Sequence, residues 1–394
     1  MAHPRFVRLV LSFLIGCAAM ALVASPSSAI RPDSEAVLSP VDFQIVNRPA
    51  PVPGADNRMH LVYEIQAVNQ SSREVEIRKV APRAQGNRLG QPFTGTRLAE
   101  RTRINAGTSG TTLGPGGSAM IFIDAAYSPA RKRPAAISHA ISLAWPDAEN
   151  PAETIRQTFI GVSTRVSRQR PVVLTPPLRG SKWVAANGCC TMNPHRGATL
   201  AIDGTVRVPE RFAIDFVQLG RQDRLFIGPQ ADLFSYGYYR TPIIAVAPGR
   251  VVDVRRNLPE QIPGAMPTDA TIQNAGGNHV VVDIGKGRYA FYAHMATASV
   301  RVKVGQKVRR GQVLGLLGNS GNTDTPHLHF HVMNSPSPLQ ASGLPFVFRG
   351  YLGQGLLRNL GEVQGGDPGE INGNRLRGRY RNTLPMENQV VRFG

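Results

Sequence analysis

Cysteine is scarce in this chain, three in 394 residues, and too few for a disulfide scaffold. One of them, Cys17, falls inside an apolar amino-terminal run, which leaves only the adjacent pair Cys189 and Cys190. Neighbouring Cα atoms stand about 3.8 Å apart across a trans peptide, below the usual disulfide range, so a bridge between such neighbours is strained. The bridge fits an oxidising compartment, whereas two metal-binding thiols would fit a reducing one; the bridge is the favoured reading, with no catalytic role.

Acidic residues are also few, 26 Asp and Glu against 45 Lys and Arg, for a formal charge of +19. Such a surface attracts polyanions. The basic excess is scattered and aromatics make only 7% of the chain, so no groove of cations interleaved with stacking rings is present for nucleic acid. Anionic envelope polymers are the better-matched partner.

Long apolar runs are missing except one, residues 9–24, with Arg5 and Arg8 before it and Ser27-Ser28-Ala29 after it. That pattern predicts a cleaved signal peptide over 1–29 and a secreted or periplasmic protein. The run is short for a span, so membrane attachment is expected only through an uncleaved signal or a lipid anchor. The sequence Leu14-Ile15-Gly16-Cys17 resembles a lipoprotein box, but apolar residues continue past Cys17, which disfavours lipidation.

What the chain has in excess is turn-forming residues. Forty Gly and thirty-one Pro favour short strands and many turns over long helices, hence a mainly β protein. Alternating stretches at 60–65, 75–77, 119–124, 141–144 and 158–162, separated by turns such as Gly114-Pro115-Gly116-Gly117, predict an immunoglobulin-like β-sandwich. This half shows no catalytic constellation; His60 and His139 are isolated and read as structural. Pro171, Pro176 and Pro177 predict a stiff, extended linker and a boundary near 175. The sandwich and linker are thus assigned to 30–175 and a second β domain to 176–394, with a closing strand at 388–393 and a mobile Gly- and Arg-rich loop at 355–382.

Six of the nine histidines lie in that second half. In Pro326-His327-Leu328-His329-Phe330-His331-Val332 a strand would turn all three histidines to one face and the apolar residues to the other. Imidazoles about 6.6 to 7 Å apart on one face suit a zinc ion with a proton-transfer group beside it. The chain has no His-Glu-x-x-His helix to supply a base. His294, closing Tyr289-Ala290-Phe291-Tyr292-Ala293-His294 with Tyr292 on the same face by alternation, is the best candidate.

The run Tyr292-Ala293-His294-Met295, the stretch 302–315, Gly318-Asn319-Ser320-Gly321 and His327-Leu328-His329 together resemble the core of the lysostaphin or LytM type of zinc metallopeptidases over roughly residues 211–335. The resemblance implies a small antiparallel β fold with a groove, zinc as cofactor, and cleavage of peptide cross-links in peptidoglycan. It implies His329 and Asp215 as zinc ligands, and His294 and His327 as catalytic residues. The chain departs from the family where its first zinc histidine should stand, at Arg211, because a guanidinium cannot ligate zinc. His195, twenty residues before Asp215, is the first choice to complete the site and His331 the second. A third reading pairs Arg211 with Asp215 and makes the protein a catalytically degenerate, metal-free wall-binding protein or regulator of another cell-wall hydrolase. The stretch 304–315 also resembles biotinyl and lipoyl carrier hairpins, but no attachment lysine turn is present.

Overall fold

The structure, a computed structural model, describes residues 37–394 apart from Ala106. The signal-peptide expectation and Cys17 lie outside the described residues. The amino-terminal part is a sandwich of two six-stranded sheets. One is built around Met59–Asn69 and Ser118–Tyr127, antiparallel partners with Ile65 opposite Ile121. The other is built around Val75–Ala84, Ala136–Pro146 and Thr154–Arg165. Leu61, Tyr63, Ile65 and Ala67 alternate along one strand and meet Val75, Ile77, Ile141 and Leu143 from the opposite sheet. Burial of each large side chain contributes about 1.5–3 kcal/mol.

The strand Met59–Asn69 is buried on both faces. Val62, between the sandwich-core residues Leu61 and Tyr63, belongs with Val52 and Ala55 to the core of the carboxy-terminal part, and Glu64 is fully buried. The sandwich therefore shares apolar packing with the carboxy-terminal part.

That carboxy-terminal part is organised by a ten-stranded sheet. Its order is Lys307–Val308, Gly249–Arg255, Asn278–Asp283, Tyr289–Met295, Leu328–Met333, Ile214–Gln218, Gly180–Ala186, Gln389–Phe393, Tyr351–Leu357 and Ile371–Tyr380. Every neighbouring pair is antiparallel. A single core of Trp183, Phe216, Tyr292, Phe330, Phe346, Phe348 and Phe393 lies on one side of it.

Two expectations are corrected. The proline-flanked segment is no free linker: Val172–Leu174 forms a parallel pair with Phe346–Phe348, and Val172, Leu174 and Leu178 are core residues. The prolines enforce an extended chain, and extended residues between them keep the N–H groups a ladder needs. The region 355–382 is likewise no loop throughout, since Tyr351–Leu357 pairs with Ile371–Tyr380 and Tyr351 stacks on Tyr380 with ring centroids 5.2 Å apart. Gly355 and Gly378, at φ 147° and 137°, accommodate backbone that side chains resist, and a shift in register occurs between Gln354 and Leu356. No helix among the described residues is long and apolar enough to cross a membrane.

Candidate active site

The histidine strand alternates as its sequence requires. Leu328, Phe330 and Val332 are buried in the main core, while His327, His329 and His331 line a groove of about 960 Å³ on the opposite face. In the neighbouring strand Asp215 lies opposite His329 in register, and its carboxylate Oδ1 is 3.0 Å from His329 Nδ1. On its other side Asp215 is in register with Ala186. Hydrogen-bonded strands on both sides thus fix its backbone.

His195 arrives from outside the sheet. It sits in a four-residue helix, Pro194–Gly197, whose Asn193 cap accepts from the Arg196 N–H and whose first position is proline. Its Nε2 stands 3.1 Å from Asp215 Oδ2, and its Nδ1 donates to the Asn187 carbonyl at 2.8 Å. Asn187 also donates through Nδ2 to Asp215 Oδ2 at 2.9 Å. His195, Asp215 and His329 each offer a ligand atom within 4.8 Å of the others.

His294 reaches the groove by a break in its strand. Residues 278 and 280 pair with 295 and 292, so one extra residue is accommodated in the His294 strand, and His294 itself has φ 57°. A bulge of this kind re-aims a side chain. Tyr292 therefore does not share its face: Tyr292 is buried in the main core and its hydroxyl accepts from the Val246 N–H at 2.9 Å. The alternation argument fails here because the backbone leaves the extended region at the residue that matters. His294 Nδ1 donates to the Ser320 carbonyl at 2.8 Å and His327 Nδ1 to the Thr325 carbonyl at 2.7 Å. Both rings thus have a fixed tautomer when neutral, with Nε2 unprotonated. Their centroids are 4.5 Å apart, and His327 Nε2 is 3.3 Å from Asp215 Oδ1.

The electrostatics separate these imidazoles. Burial opposes ionisation of Asp215, but His195 and His327 outweigh it and hold its carboxyl well below the usual range. Burial also disfavours charge on His195, yet the Asp215 carboxylate pushes its pKa up to about 9; His327 is raised by the same carboxylate against the same burial. Burial, reinforced by repulsion from His327 and His329, drives His294 well below its ordinary value. Neighbouring groups with pKa values pushed apart are what acid–base chemistry uses.

Of the alternatives to His195, His331 backs His329 instead of joining Asp215. Its Nδ1 is 2.9 Å from His329 Nε2 and its Nε2 is buried without a hydrogen-bond partner. The pairing that the third alternative assumed is absent. Arg211 does not pair with Asp215; it holds Glu64 of the sandwich, with Nε at 3.0 Å from Oε1 and Nη2 at 2.6 Å from Oε2. Arg211 lies before the strand Ile214–Gln218, and its side chain runs to the sandwich carboxylate instead of along the sheet to Asp215.

The segment 318–321 helps to position both His294 and His327. Ser320 holds His294, and Asn319 is hydrogen-bonded through Oδ1 to the Thr323 hydroxyl, which lies 3.2 Å from His327 Nδ1. The orienting roles of Asn187, Ser320 and Thr325 were not legible in sequence, because backbone carbonyls do this work and every residue has one. His294, His327 and His329 also converge within 4.8 Å, and a cluster outside the groove, His60 with Asp124 and Cys190, is closed by its own bonds. His60 lies 3.0 Å from Asp124 and from Asp56, and Cys190 is bonded to Cys189.

Residues 235–341 match Peptidase family M23. The carboxy-terminal part thus contains a region of the M23 peptidase type. His294, His327 and His329 fall inside the matched M23 region, whereas His195, Asp215 and Arg211 precede it. A 65-residue stretch is 42% identical to the peptidoglycan DD-endopeptidase ShyA of Vibrio cholerae, covering 16% of this chain and 15% of that protein. Another of 85 residues is 34% identical to the cell division protein DipM of Caulobacter vibrioides, covering 20% and 14%. The matches thus span less than a sixth of these relatives' lengths. The lysostaphin catalytic domain from Staphylococcus simulans is 23% identical over 41% of this chain and 88% of that chain, with a TM-score of 0.23.

Proposed function

We propose that the protein is an exported zinc metalloendopeptidase that hydrolyses peptide cross-links of peptidoglycan, with a sandwich and adjoining extended segment over 30–175 and the peptidase over 176–394. The observation that carries this reading is the convergence of His195, Asp215 and His329. This donor set suits zinc: two imidazoles and a carboxylate are ordinary ligands and leave a position open. Each imidazole has its other nitrogen engaged, His195 by the Asn187 carbonyl and His329 by His331, as ligating histidines require. Zinc held there supplies a Lewis acid for the scissile carbonyl and an activated water.

The remaining chemistry belongs to the imidazoles. His294, kept neutral by burial with Nδ1–H committed to Ser320, accepts a proton at Nε2. His327, whose protonated form Asp215 favours, returns one to the leaving amine, and the two imidazoles together steady the tetrahedral intermediate. Export is supported by the apolar run 9–24 ahead of Ser27-Ser28-Ala29 and by the Cys189–Cys190 bridge. The names of the relatives point to peptidoglycan as the substrate.

Metal analysis of the purified protein followed by an assay on purified peptidoglycan tests the proposal. About one equivalent of zinc and release of peptide fragments are expected. His329→Ala should lose both metal and hydrolysis; His294→Ala should retain metal and lose on the order of 10² to 10⁴ in rate. A protein that purifies without zinc, takes none up and leaves peptidoglycan intact would be the degenerate wall-binding form instead.

A further inference from the structure

The four-residue helix Pro194–Gly197 is too short to hold itself, since isolated helices below about 12 residues are marginal in water. Its neighbour to His195, Arg196, is 1% exposed and runs into the sandwich. Arg196 Nη1 is 2.6 Å from Glu64 Oε1, and Nη2 donates to the carbonyls of Tyr63 at 3.5 Å and Ile123 at 3.4 Å. The guanidinium lies 5.5 Å from the Phe122 ring centroid. The same Glu64 carboxylate holds Arg211 bidentately, and Arg211 Nη1 donates to the Gly343 carbonyl at 3.2 Å.

A buried ion triad is a poor device for stability, because desolvation offsets the attraction; its better-attested use is to specify one arrangement. Here a single carboxylate from the sandwich grips the residue next to His195 and the residue four before Asp215. Asp215 is also fixed by ladders on both sides. His195 has no ladder, so its orientation depends on Asn187, the Asn193 cap and Arg196.

We infer that Glu64 is a positioning residue for the metal site, acting through Arg196 to set His195, so that the sandwich completes the centre instead of serving as a spacer. This rests on the ligand set proposed above. At the position where the family carries a histidine, Arg211 has become part of the clamp that holds the replacement donor.

The test uses full-length Glu64→Gln, Arg196→Met and Arg196→Lys. Zinc dissociation constants come from chelator competition, and folding of the metal-free proteins from circular dichroism and melting. Ile141→Val, in the sandwich core, serves as a control that lowers stability without touching the clamp. Arg196→Met leaves Glu64 paired with Arg211, so it should fold and weaken zinc binding by about 10- to 100-fold, the usual cost of losing an outer-shell partner. Glu64→Gln should do the same or unfold, Arg196→Lys should recover part of the affinity, and Ile141→Val should bind like the parent. Folded Arg196 variants with parental zinc affinity would overturn the inference while leaving the ligand set intact. A parent protein that binds no zinc would overturn both.

Discussion

His331 sets two quantities against each other, and its replacement by leucine separates them. In the folded protein its Nε2 is buried with no partner, while Nδ1 lies 2.9 Å from His329 Nε2. With metal on His329 Nδ1, Nε2–H would donate to His331; without metal Nδ1–H donates to the Asp215 carboxylate, and in both forms His331 Nε2 is a buried polar atom with no partner. Removing an unsatisfied buried polar atom returns about 1–3 kcal/mol, and losing one hydrogen bond costs about 0.5–1.5 kcal/mol. His331→Leu in the metal-free protein should therefore match or exceed the parent by up to about 2 kcal/mol. Metal affinity should move the other way by about 10- to 100-fold, or about 1.4–2.7 kcal/mol, because His329 loses the acceptor that orients it. Urea unfolding of the metal-free proteins and chelator competition read the two numbers. A variant less stable than the parent by several kcal/mol, or one with unchanged zinc affinity, would refute the roles assigned to the two His331 nitrogens.

Other perturbations address the scaffold. Phe330 is fully buried with ring centroids 5.3, 5.2 and 6.3 Å from Tyr292, Phe346 and Phe348, so Phe330→Ala should cost about 3–5 kcal/mol in urea unfolding, and a loss below about 1 kcal/mol would contradict the shared aromatic core. His139 is buried and neutral, its Nδ1 donating to the Val162 carbonyl and its Nε2 accepting from the Tyr63 hydroxyl, and burial lowers its pKa to about 4. Stability should then fall as pH drops from about 6.5 toward 4, by about 3 kcal/mol from this group, and His139→Gln should flatten that slope. His60 behaves in the opposite sense: burial opposes its charge, but Asp124 and Asp56 overcome this and raise its pKa to about 10. Its contribution is complete below about pH 6.5 and disappears as pH rises through 10, so His60→Gln should remove part of the alkaline loss in melting experiments, and an unchanged profile would count against the pairing.

Much of the site was readable because period-two alternation is a local property of extended chain. It predicted one face for His327, His329 and His331 and an apolar reverse face of Leu328, Phe330 and Val332, and the strand has both. The same rule misassigned Tyr292, since the positive φ of His294 and the extra residue in its strand are imposed by the neighbouring strand and the Ser320 carbonyl. The proline-flanked segment and the 355–382 region were misread for a related reason: composition reports a tendency to extend or turn but not whether a partner strand stands alongside.

Residue order and chemistry alone determined the mainly β character, the histidine face and the motifs shared with the M23 domain. They also flagged that Arg211 cannot be a ligand, because that depends only on what a guanidinium is. Which residue stands beside Asp215, and what Arg211 does instead, were decided by tertiary structure. His195 is twenty residues from Asp215, and Glu64 is 147 from Arg211; contacts across such separations are set by how sheets pack, and no local pattern encodes them. The sandwich looked inert as a sequence because its fully buried carboxylate, Glu64, acquires meaning only when two arginines from the other part close on it.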